Sequence, residues 1–108
     1  MIDGLWSVQF QGPQGHGGGA VVLTGGKVYG GDSGFTYAGS YELNGDAFKA
    51  KVTVKNFDPS FSSVFGSTGS FELVLEGKVQ GDLIVGTGAL VSAPTAKMSI
   101  RLTKRGGL

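Results

Sequence analysis

Apolar and polar residues alternate along most of the chain, the period-2 signature of half-buried strands. In LWSVQF, Trp6, Val8 and Phe10 share one face, and Leu5, Ser7 and Gln9 the other. Residues 20–24 (AVVLT) and 28–30 (VYG) form the next two predicted strands, joined by the paired glycines of GGK (25–27), which tolerate the positive φ of a tight hairpin. Residues 35–43 (FTYAGSYEL) set Phe35, Tyr37, Gly39, Tyr41 and Leu43 on one face. NGD (44–46) is a hairpin signal of the Asn-Gly kind, suited to a type I′ turn. The alternation is clearest in 47–57, where Phe48, Ala50, Val52 and Val54 oppose Lys49, Lys51, Thr53 and Lys55. Residues 71–78, 83–91 and 97–104 complete eight predicted strands, with QGD (80–82) turning between the sixth and seventh.

Three stretches break the rhythm. The glycine-rich QGPQGHGGG (11–19) is expected to be a flexible loop. In YGGDSG, Gly30, Gly31, Asp32 and Gly34 are expected to make a turn, its aspartate pinned to backbone N–H groups. In 58–70, Asp58 before Pro59 reads as a helix cap, and Phe61, Val64 and Phe65 fall at helical spacing, so one short helix is expected there, ended by Gly66 and Gly69.

Eight short strands with tight turns point to an all-β, antiparallel, up-and-down order. Closing such a sheet into a barrel hides its edges, and eight strands close around a packed or ligand-sized interior. Gly39, Gly86 and Gly88, inside strands, fit the sharp bends of a small barrel. A two-sheet sandwich is the runner-up. The expected architecture is one lipocalin-like barrel domain spanning 1–108.

Composition supports a folded chain. Leu, Ile, Val and Phe number 30 of 108 residues, above the level of disordered sequences. The 21 glycines follow no Gly-X-Y period, and the absence of cysteine removes disulfides and thiolate metal sites. A formal charge of +1 gives no global pull toward nucleic acid. No apolar run is long enough for a membrane span, and MIDGLWSVQF alternates instead of offering a basic start and an apolar core, so a cytoplasmic protein is expected.

Catalytic chemistry is poorly provided for. His16, the only histidine, sits in the glycine-rich loop. His16, Asp32 and Asp46 match no metal-ligand spacing, and GPQGHGGG lacks the Gly-Lys-Ser/Thr ending of a phosphate loop. Glu72 and Glu76 share a face that alternation turns to water. Lys49, Lys51 and Lys55, with Lys97, Arg101, Lys104 and Arg105, are basic, but the aromatics alternate away from them, against direct nucleic-acid binding. The reading is a binding protein, not an enzyme, with no cofactor.

DGLWSVQF, GGAVVLTGGKVYGGDSGFTYAGSY, the NGD turn and FELVLEGKVQGD together resemble the negative regulators of type III secretion, the GrlR-like family. The likeness covers nearly the whole chain, through structural motifs. It implies a lipocalin-like barrel with an apolar cavity, a homodimer, and a bacterial cytoplasmic protein that restrains a transcriptional activator by binding it directly. The family associates its activator-binding surface with a run of acids after the aromatic strand; here that place holds only Glu42 and Asp46.

Two functional expectations follow. One is a dimeric regulatory module binding a protein partner, with Leu5, Leu83 and Val85 as seam residues and Glu42 and Asp46 as partner acids. The other is a carrier or sensor of a small apolar ligand or lipid, with Trp6, Phe10, Tyr37, Tyr41, Phe48 and Phe71 lining the interior. The competing expectation is that these six simply fill the core.

Overall fold

A computed structural model describes residues 2–63 and 69–108. Eight strands run in chain order: β1 (Gly4–Gly12), β2 (Gly15–Thr24), β3 (Lys27–Gly31), β4 (Phe35–Asn44), β5 (Ala47–Asn56), β6 (Phe71–Gln80), β7 (Leu83–Leu90) and β8 (Lys97–Gly106). Each pairs antiparallel with the next, and β8 returns to β1, closing the barrel. No free sheet edge remains among these strands, and the sandwich alternative is excluded.

Alternation assigns the faces. On β5 the inward Phe48, Ala50, Val52 and Val54 are each no more than 5 % exposed, while the lysines between them face outward. The same inward set continues through Trp6, Val21, Leu23, Leu73, Ile84, Ile100 and Leu102, all buried. Among the described residues no polar or charged residue is buried. Apolar inside and charged outside is the reverse of a lipid-facing barrel. No helix among the described residues is long and apolar enough to cross a membrane.

The connections make the two ends unlike. At one end β2–β3, β4–β5 and β6–β7 are joined by two-residue turns, and both chain termini lie there. Gly25 and Gly26 both have positive φ, 54° and 81°, the pattern of a type I′ turn. The turn after Asn44 differs from the Asn-Gly expectation. The central residues after Asn44 are Gly45 and Asp46, and only Gly45 has positive φ (66°); Gly81 before Asp82 repeats this (63°). Glycine leading with an ordinary second residue is the sign pattern of a type II′ turn. At the opposite end three of the four connections are longer, spanning 32–34, 57–70 and 91–96.

Two expectations about glycine need correcting. Residues 15–19 are strand, not loop: Gly17, Gly18 and Gly19 pair with Phe10, Gln9 and Val8. Glycines carry no side-chain alternation, so the sequence pattern could not reveal them. Gly30 and Gly31 also lie in β3 and not in the turn, which is Asp32 to Gly34. A Cβ at Gly30 would collide with the Ala20 carbonyl of β2, so glycine is needed for the close approach of the two strands.

The expected short helix is a turn where it can be described. Asp58 caps it: its Oδ1 accepts the backbone N–H and the hydroxyl of Ser60 at 3.0 and 2.7 Å, and these bonds hold its carboxyl below the usual range. The Phe61 N–H reaches the Asp58 carbonyl at 3.0 Å. Val64 and Phe65, the other members of the expected stripe, lie outside the described residues, as does Gly66.

Candidate functional site

The barrel has a floor. Trp6, Leu23, Phe48 and Ile84 are at most 1 % exposed and all lie near the tight-turn end. The Trp6 indole N–H donates to the Ile2 carbonyl at 2.8 Å, so the chain's start is drawn across that end and Ile2 is buried with it. Tyr41 stacks on Phe48 at 5.7 Å between ring centroids, and its hydroxyl donates to Asp3 Oδ1 at 2.9 Å. Burial, then this bond to Asp3, raises the Tyr41 phenol pKa, against a lowering from the Gly26 backbone.

Above this floor the interior is hollow. A cavity of about 290 Å³ runs from Phe48 and Leu23 toward the end with the longer connections, where it opens. Its walls are apolar, drawn from β1, β2, β4, β5, β6 and β8 among others. A Cβ at Gly17 would stand 2.8 Å from the ring of Phe10, so glycine here is what lets Phe10 lie in the mouth. Phe35 and Phe71 meet at 6.3 Å in a tilted pair beside it. Phe61 packs over Gly34 at the rim and is 43 % exposed; Phe57, also at that end, is 59 % exposed.

Among the described residues the polar lining is confined to the open end: His16, Asp32, Ser33, Tyr37, Ser62 and Ser63. Asp32 organises it. Its Oδ1 accepts the backbone N–H groups of Gly34 and Phe35, both at 2.9 Å, which pins the turn between β3 and β4 as the sequence predicts. Its Oδ2 accepts the hydroxyl of Tyr37. Burial first, then this hydrogen bond and the carboxylate charge, holds the Tyr37 phenol far above its ordinary range, so it remains a protonated donor. Among the described residues no lysine or arginine lines the cavity, and no three potential metal-ligating side chains come together.

Of the six residues expected to line the interior, the structure places Phe10, Tyr37, Phe48 and Phe71 on the cavity wall. Trp6 and Tyr41 do not line it: Trp6 is part of the floor, and Tyr41 packs against the core, stacked on Phe48. Asp32, expected only as a turn residue, reaches the cavity as well. The signal was present in the sequence as the spacing of Asp32 and Tyr37, but it takes the return of β4 after the turn to aim the two at one point.

The expected seam residues do not form one patch. Leu5 is 43 % exposed on β1 and Val85 46 % exposed on β7, with Leu83 partly exposed beside it. Strand β8 lies between them and presents Thr103 and Arg101 opposite Leu83 and Val85. The outward neighbours of Leu5 are instead Val22 and, beyond it, Tyr29. Glu42 is exposed opposite Lys49, and Asp46 sits in its tight turn 3.5 Å from the Lys78 ammonium.

No family model matches this chain, and no curated protein does. The likeness to the GrlR-like regulators therefore stands on the quoted motifs.

Proposed function

We propose that the protein binds a small, elongated apolar ligand inside the barrel, as a carrier or sensor. One observation carries the reading: the interior is an apolar cavity of about 290 Å³, closed at one end, open at the other, with its polar groups gathered at the opening. Ligand sites of this kind are concave and apolar with a few placed polar groups. Scaled from an apolar site of about 150 Å³ that holds benzene, the space suits a chain of roughly ten carbons. The exposed Phe57 and Phe61 at the open end offer an apolar landing for such a chain.

Titration calorimetry with decan-1-ol tests this. One molecule should bind per chain, with a negative heat-capacity change. Ala50→Phe, which places a ring in the cavity from a residue 5 % exposed on its wall, should abolish binding while the strand content by circular dichroism persists. No binding to the native chain, or binding indifferent to Ala50→Phe, would overturn the reading.

A separate observation favours a second role, which we also propose: a protein-docking face of the sort a regulator of an activator needs. Register places the outward Leu5, Val22 and Tyr29 in one row across β1, β2 and β3, and Tyr29 is 51 % exposed. If this row is the seam of a homodimer, Tyr29→Lys should shift native mass spectra from dimer to monomer. A dimer that survives the substitution, or a native chain that is already monomeric, counts against it.

A further inference from the structure

The mouth of the cavity is built for one kind of head group. This inference rests on the proposed ligand binding and adds its chemistry. Among the described residues Asp32 is the one acidic side chain on the cavity wall, and no lysine or arginine accompanies it there. His16, also in the lining, is exposed at the rim. A carboxylate offers about four acceptor positions. Three donors already point at Asp32: the N–H groups of Gly34 and Phe35 on Oδ1 and the Tyr37 hydroxyl on Oδ2. Oδ2 thus keeps an acceptor position. The Tyr37 proton is committed to Asp32, which leaves its oxygen as an acceptor as well. The serines of the rim, Ser33, Ser62 and Ser63, can donate or accept, but they carry no charge to set against Asp32.

We propose that the barrel selects amphiphiles whose apolar chain ends in a cationic hydrogen-bond donor, a primary alkylammonium, which docks on Asp32 Oδ2 while the chain fills the cavity. An alcohol of equal length donates one bond without the charge and binds more weakly. A fatty carboxylate meets the like charge of Asp32, against which the serine hydroxyls set no positive charge, and binds weakest. A charge-assisted hydrogen bond in place of a neutral one is worth about tenfold in affinity.

Calorimetry with decylamine, decan-1-ol and decanoate at neutral pH and one ionic strength tests the ranking. The native chain should bind decylamine about tenfold more tightly than decanol, and decanoate least. Asp32→Asn should lose the preference of amine over alcohol while still binding the alcohol, with its fold checked by thermal melting. Should that variant fail to fold, Tyr37→Phe serves: it frees Oδ2 of its side-chain donor and should widen the amine-to-alcohol ratio. Decanoate binding as tightly as decylamine would overturn the proposal while leaving the cavity reading standing. So would an amine preference that survives Asp32→Asn, or one that narrows in Tyr37→Phe. Failure of all three compounds to bind would overturn the cavity reading and this proposal with it.

Discussion

At the tight-turn end, Trp6, Leu23, Phe48 and Ile84 meet in the barrel's axis and exclude solvent almost completely; at the open end, Phe10 faces Gly17 and the space between the walls is empty. Both ends are served by the same closed set of strands with the same inward alternation. What differs is where the large side chains go: at the floor they are fully buried, whereas Phe10, Phe35, Tyr37 and Phe71 line the wall around the cavity. An eight-stranded barrel is just wide enough for large residues to fill it. One indole and one phenyl ring, with Leu23 and Ile84, close the floor. The most deeply buried side chains are thereby gathered at one end and the cavity opens at the other. The hydrogen bonds follow suit. At the floor the Trp6 N–H ties down the chain's own start through Ile2, whereas at the mouth Tyr37 donates to Asp32 and both residues line the cavity.

The sharpest way to break this comparison is to truncate one aromatic at each end. Trp6→Ala removes the largest fully buried side chain and its hydrogen bond to Ile2, and should cost about 3–5 kcal/mol. That is a large share of the roughly 5–15 kcal/mol that stabilises an ordinary domain. Phe10→Ala, only partly buried and opening onto existing space, should cost about 1–2 kcal/mol. Urea unfolding of the two variants measures the difference directly. Equal midpoints would mean that the open end carries as much of the core as the closed one.

The sequence pattern made faces legible and left depth hidden. The run from Phe48 to Val54 could be read as inward residue by residue, because a strand's side chains alternate whatever the sheet around it does. The same rule turned Trp6 and Tyr41 inward, as they are, but could not tell that neither reaches the cavity wall. Depth in a barrel follows from the stagger between neighbouring strands, which only the paired register shows. The glycines were the other blind spot. Gly17 to Gly19 complete β2 and shape the mouth, yet a residue without a side chain offers no alternation to read. Asp32 was half legible. An aspartate ahead of Ser-Gly announces a capped turn, but its bond to Tyr37 depends on β4 folding back along β3. Leu5 and Val85 were legible as outward apolar residues, and nothing in the alternation placed the Arg101 and Thr103 face of β8 between their strands.

A smaller effect sharpens the contrast at the mouth. Tyr37 has its pKa raised from an ordinary 10.0 by burial, by its bond to Asp32 and by the charge of that carboxylate. In the unfolded chain the same phenol loses its proton near its ordinary value, whereas in the folded chain it holds it. Above that pH the unfolded state therefore binds fewer protons than the folded one, and stability must fall as pH rises. The contribution is fully present below about pH 10 and is lost progressively above it, by at most about 1.4 kcal/mol per pH unit and less for the part of the ring that solvent reaches. Tyr41, whose pKa is also raised, adds to the loss from the closed end. Tyr37→Phe removes one titrating group and should flatten the alkaline limb of the stability curve, at a cost near neutral pH of about 1 kcal/mol for the hydrogen bond. Urea midpoints of the native chain and the variant, followed upward from pH 9, measure that slope. If the two curves stay parallel, the phenol titrates alike in folded and unfolded chains, and the Asp32–Tyr37 bond does not tie down the mouth of the folded barrel.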